Sequence, residues 1–263
     1  MKTISVLIIG IAAAVFVVPG VTFAQEDSQS SHYVSVDCMK STSMDYADIE
    51  ADIWLPMHQA RVDQGKIVGW ALYWVQYGDR KKCDFYTVTT YVGGEQLNAD
   101  HSVDEVFAAV HPGRNLKQEM ANTAESRMHV ATYLWLLVDR TAVGKHRYAV
   151  VNMMYARDPD LYERMETKVF KPGHQALVDS GHRSGWAMYE LIAPIGTSIP
   201  YNYSTVDFTN DLNPVPMAEA LMSANPDRDL DALEDLLQLR DQVSSETWIL
   251  VAATEEMSGE AQE

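Results

Sequence analysis

Apolar positions along the chain keep changing period, and they change in the same order twice. HYVSVDCMK (32–40) and RYAVVNMMY (147–155) are patterned as strands. Helical spacing follows over Met44 to Gly65 and Asp160 to Gly181, each closed by a glycine that suits a helix C-cap. GWALYWVQY (69–77) and GWAMYELIA (185–193) return to strand patterning and are rich in aromatics. A hairpin comes next, through GDRKK in the first stretch and the longer PIGTSIP in the second, leading to a third strand, FYTVTTY or YSTVDFT. A helical region interrupted by HPGRN or NPDRD and a last strand, YLWLLV or TWILVA, complete each set.

The repetition extends to single residues. A shift of 116 carries Glu50, Pro56, His58, Gly65, Gly69, Trp70 and Tyr73 onto Glu166, Pro172, His174, Gly181, Gly185, Trp186 and Tyr189, so the chain reads as two copies of one unit. The order βαββαβ is that of a ferredoxin-like fold, with strand order 4-1-3-2 and an α+β class. One face of each sheet would lie against the two helices. Strands such as YLWLLV and YAVVNMMY are apolar at both alternating sets of positions, so the other face needs a cover too. Joining the two sheets into one intrachain α/β barrel supplies it.

With its doubled βαββαβ order, the chain resembles the dimeric α/β-barrel superfamily in a tandem version, over roughly residues 32 to 254. W-x-P-x-H-Q followed by G-x-x-x-G-W-A-L-Y is similar to secreted bacterial proteins of unknown activity. The superfamily includes cofactor-free monooxygenases, lactone isomerases, haem-dependent chlorite-degrading enzymes and members without known catalysis. The resemblance therefore implies fold much more than function. It also implies a ligand pocket between helices and sheet.

The N-terminus changes the picture of where this unit works. Lys2, an apolar run from Ile4 to Val18 and Thr22-Phe23-Ala24 read as an export signal cleaved after Ala24, which predicts a periplasmic or secreted protein. The expected divisions are a signal peptide (1–24), a linker (25–31), a first unit (32–144), a second unit (145–254) and an acidic tail (255–263). A net charge of -17 argues against nucleic acid or an anionic membrane surface as partner. Cys38 and Cys83 are the only cysteines. They lie on neighbouring strands of the expected order, which permits a cross-strand disulfide without fixing its register.

Candidate chemistry centres on the repeated helix. Tyr46, Glu50, Trp54, His58 and Val62, like Tyr162, Glu166, Phe170, His174 and Val178, recur every four residues and form a stripe facing the sheet. His58 and His174 are the candidate catalytic residues, each a neutral general base toward an acidic C–H or phenolic O–H. Trp54, Arg61, Trp70, Tyr73, Phe170, Trp186 and Tyr189 are candidate ligand contacts; Arg61 would hold an anionic group, and Gly173, where the first copy has Met57, would free space. The rival reading is that the same residues close a barrel with no ligand, and a void beside His58 would separate the two. Glu50 with Arg127 and Glu166 with Arg240 are predicted ion pairs, each arginine closing the second helix of its unit. Pro56 and Pro172 should kink their helices. The histidines lack metal-site spacing, so no metal and no cofactor is predicted. The expected partner is a small apolar or aromatic molecule, bound with or without catalysis.

Overall fold

A computed structural model describes residues 31–258 except 101, 229–230 and 232–234. The predicted export signal lies outside the described residues. Eight strands run from β1 (His32–Ser41), β2 (Gly69–Tyr77), β3 (Phe85–Val92) and β4 (Arg127–Arg140) to β5 (Tyr148–Ala156), β6 (Gly185–Ala193), β7 (Tyr203–Thr209) and β8 (Arg240–Ala253). They close into a barrel in the order β1-β3-β2-β8-β5-β7-β6-β4. Within each half the order is the expected 4-1-3-2. The seams between halves are the antiparallel pairs β2 with β8 and β4 with β6.

Alternation along each strand sorts the core into an inner and an outer layer. Ala71, Tyr73 and Val75 join the cluster inside the barrel, while Trp70 and Leu72 pack outward under the helix of their own half. This is how two sheets that are apolar on both faces bury both. β4 and β8 are longer than the sequence pattern suggested, because their first residues pair with the ends of β1 and β5. Arg127 and Arg240 thus begin strands and do not close helices, a correction to the expected placement. Residues Glu255–Ser258 form a short helix against β2, with Met257 packed at Gly69, so the tail expected from 255 begins as ordered structure.

The disulfide is formed. Cys38 and Cys83 are bonded with Cα atoms 5.5 Å apart; Cys38 stands opposite Tyr86, and Cys83 lies just before β3. In the second half Met153 and Tyr201 occupy the corresponding places.

The prolines do not simply kink their helices. The first long helix (46–63) passes through a π-helical turn at Glu50–Trp54 and the second (159–179) through one at Glu166–Phe170, each ending directly before the segment that carries the proline. Leu55 N–H donates to Glu50 O, and Lys171 N–H donates to Glu166 O, five residues back. Proline has no N–H to give, and a widened turn absorbs the mismatch. A side chain from the next helical region then supplies a donor. His111 Nε2 donates to Ile53 O at 2.9 Å, and Asn225 Nδ2 donates to Val169 O at 3.0 Å. These are the first residues of HPGRN and NPDRD, so two repeated motifs far apart in sequence are halves of one device. The π turn also winds less per residue than an α-helix, which offsets the drift of a four-residue spacing around a 3.6-residue turn. Tyr46, Glu50 and His58 therefore stay on the sheet side.

Candidate functional site

Under each long helix the same constellation recurs. His58 stacks on Trp70 with ring centres 4.6 Å apart, and His174 stacks on Trp186 at 4.8 Å. Glu50 lies 3.6 Å from Arg127, and Glu166 lies 3.4 Å from Arg240. Burial drives both carboxyls up to about 7 against the pull of their arginines. Tyr46 and Tyr162 sit beside these carboxyls, and burial pushes both hydroxyls far up.

Each imidazole is also held by an arginine, from a different place in each half. Arg61, on the same helix as His58, donates from Nη1 to His58 Nδ1 at 3.2 Å. The equivalent of Arg61 is Leu177, and in the second half the donor to His174 Nδ1 is Arg183, whose equivalent is Ile67. A guanidinium can only donate, so both Nδ1 atoms accept and the proton of each neutral ring sits on Nε2. Burial first and the neighbouring arginine second push His58 down to about 3; the same causes, with a contribution from Arg240, hold His174 well below its ordinary value. A ring whose lone pair is already taken has none left to accept a substrate proton. The general-base role expected of His58 and His174 finds no support in this geometry.

The halves diverge in what lies over the constellation. In the first, Ile53 and Met57 pack against Val106 and Phe107 of the helix Asp104–Val110. Trp54 turns to the next helix, Leu116–Ser126, where its Nε1 donates to Thr123 Oγ1 at 2.8 Å. Arg61 reaches Tyr91 as well as His58, so it is engaged within the fold and does not await an anion. In the second half a cavity of about 330 Å³ opens beside His174. Its wall combines Phe170, Met217 and Leu221 with Glu166, Arg183, Asp207 and Arg240. Arg183 pairs with Asp207 at 2.6 Å, and burial raises the Asp207 carboxyl while that arginine lowers it. Gly173 frees no space here: a Cβ on it would meet Leu221 Cδ2 at 2.6 Å, since the helix Met217–Ala224 packs directly onto the glycine.

The expected site residues thus fall into two groups on opposite sides of the sheet. Trp70, Trp186, Phe170, Arg61 and the two histidines lie on the helix side. Tyr73 and Tyr189 point into the barrel and cannot share a pocket with them, because neighbouring residues of a strand face opposite ways. Inside the barrel, His146 Nδ1 donates to Gly144 O at 3.2 Å, leaving Nε2 to accept from the Tyr73 hydroxyl at 2.9 Å. His146 sits in the connection between the halves and has no partner in the repeat, so nothing in the sequence marked it. Arg183 and Asp207 were also missed, although the exchange of arginine between positions 61 and 183 is visible once the copies are aligned.

Two ferredoxin-like units that pair β2 with β8 and β4 with β6 decide the architecture. The chain has the dimeric α/β-barrel fold, with both halves in one polypeptide. No family model and no curated protein sequence matches this tandem barrel. Among solved structures it is similar to a proposed monooxygenase from Fusobacterium nucleatum (8% identity, TM-score 0.47, covering 86% of this chain and 94% of that one). An anthrone oxidase-like protein is similar at 12% identity, TM-score 0.45 and coverages of 86% and 93%. So is a variant of chlorite dismutase from Candidatus Nitrospira defluvii in complex with cyanide, at 13% identity, TM-score 0.42 and coverages of 85% and 92%. At such identities the likeness concerns fold only. The haem that the superfamily resemblance implies for some relatives, held by a helix histidine, does not fit His58 or His174. His58 and His174 are each stacked flat on an indole with Nδ1 bound to arginine, so neither ring has a free lone pair for iron.

Proposed function

We propose that the chain is an exported protein whose second half binds a small molecule with an apolar or aromatic body and an acidic group, in the cavity between the second long helix and the sheet. Arg240 carries this reading. It lines the cavity, and its Nε has Glu166 Oε1 as an ion-pair partner at 3.4 Å. With burial pushing Glu166 up to about 7, its hold on the guanidinium is weak near neutral pH, and an incoming anion can compete for Arg240. Phe170, Met217 and Leu221 supply the apolar wall for the rest of the ligand. Export is supported by the signal-like first 24 residues and by a disulfide, which belongs to oxidising compartments. The alternative expected from sequence, a structural module without a ligand, describes the packed first half well. No catalytic step is assigned, because His174 already spends its lone pair on Arg183.

Benzoate titrated by calorimetry tests the proposal. Binding should be one to one and should weaken as pH rises from 6 to 8, because deprotonated Glu166 then competes for Arg240; the limit is about tenfold per pH unit above 7. Arg240→Met should abolish it, and Arg240→Met/Glu166→Gln, which leaves no unpaired charge at position 166, should abolish it in a stably folded protein. Benzoate affinity indifferent to both pH and the double variant would defeat the reading.

A further inference from the structure

The inside of the barrel is a second, separate place. All eight strands send side chains into it, and a cavity of about 260 Å³ remains among them. Its wall is aromatic: Tyr86 and Trp248 stack with ring centres 4.1 Å apart, and Trp135 stacks with Tyr201 at 6.0 Å. An apolar void of about 150 Å³ already accommodates benzene; this lumen is mostly apolar, with tyrosine hydroxyls and the charged Asp79, Lys82 and Glu246 also in its lining. Among the buried polar side-chain atoms of this lining, one has no hydrogen-bond partner. Ser204, on β7, is 4% exposed, lines the cavity, and its Oγ makes no hydrogen bond. An oxygen carried on an apolar ring satisfies Ser204 with a single bond and fills the remaining space with ring atoms. A hydroxyl is suited to the task because it both donates and accepts.

We propose that the barrel lumen binds a one- or two-ring aromatic molecule bearing a single hydroxyl or carbonyl oxygen, with Ser204 as its hydrogen-bond partner and the Tyr86–Trp248 stack as its wall. The site is distinct from the cavity beside His174, since the sheet stands between them. It takes a neutral ligand where the other takes an acid.

The probes are 2-naphthol and naphthalene, followed through tryptophan fluorescence, which Trp248 and Trp135 should report. Saturable one-to-one binding of 2-naphthol, unaffected by saturating benzoate, is expected. Ser204→Ala should weaken 2-naphthol about five- to tenfold and leave naphthalene unchanged. Ala149→Leu, which extends a side chain into the lumen, should abolish binding of both. Absence of saturable 2-naphthol binding, its displacement by benzoate, or full affinity in folded Ala149→Leu would each overturn the assignment. Should Ala149→Leu fail to fold, Ser204→Ala decides alone, and an unchanged preference for 2-naphthol over naphthalene in that variant overturns it.

Discussion

The two halves keep one histidine stacked on one tryptophan, and they hold it by different means. In the first half the arginine comes from the helix itself, at position 61; in the second it comes from the loop before β6, at position 183, and brings a buried carboxylate with it. The contact is conserved between copies although neither arginine is. What the fold requires is therefore a donor at Nδ1 that keeps the imidazole neutral and flat against the indole, and any position that reaches it will serve. The exchange has a consequence. Supplying the donor from the loop sets the Arg183–Asp207 pair over the sheet, where the first half has Ile67 and Thr89, and that pair lines the cavity of the second half.

The largest expected effect breaks this comparison at its least symmetric point. Arg183→Leu leaves Asp207 buried without its partner and should cost about 4 kcal/mol. Arg61→Leu leaves no buried acid behind and should cost about 1 to 2 kcal/mol. Denaturant unfolding of the two variants measures both; equal costs would mean that Asp207 does not need Arg183.

The disulfide comes next. It spans 45 residues of the first half only, and Cys38→Ala/Cys83→Ala should cost about 3 kcal/mol, chiefly by releasing the unfolded chain. Introducing cysteines at Met153 and Tyr201 would sharpen the comparison. If the halves are as alike as their topology, a second cross-link should form there, which mass spectrometry of the unreduced protein detects as a loss of two hydrogens.

A smaller effect tests the device shared by both halves. His111→Ala and Asn225→Ala each remove the donor to a carbonyl of the π turn, and each should cost about 1 to 2 kcal/mol. Similar costs would establish the two motifs as equivalents despite their different side chains. A cost in one half alone would confine the device to that half.

The doubled βαββαβ order, the strand order and the need to cover a second apolar face were all legible in sequence, because they follow from period and from the repeat. Tyr73 and Tyr189 show where that legibility stops. Alternation put them opposite Trp70 and Trp186, yet only a closed barrel turns the second side into an interior with a cavity. The π turns were illegible for a related reason. A four-residue stripe looks alike on any helix, and only the proline hinted that its winding had to change. Ser204 and His146 carry no pattern at all; what sets them apart is the lack of a partner in one case and a position between the copies in the other.

The last comparison concerns pH, where the halves should agree. Glu50 and Glu166 both have folded values near 7, above the ordinary carboxylate value of 4.5, so the folded state binds protons that the unfolded state has released. Stability linked to these groups is full below 4.5 and is lost as pH rises through 7, with a slope of at most about 1.4 kcal/mol per pH unit for each carboxyl. His58, with a folded value near 3, acts in the opposite sense, since its stability is present above 6.5 and lost as pH falls toward 3. The two kinds of group therefore oppose each other between 4.5 and 6.5, and His58 no longer masks the carboxyls just above that window. Unfolding free energies at pH 6.5 and 7.5 isolate them. Glu50→Gln and Glu166→Gln should each remove a similar part of the decline, and the double variant should remove both parts. A decline that responds to only one of the two substitutions would show that the repeated Tyr–Glu–Arg cluster has come to differ in its ionisation between the halves.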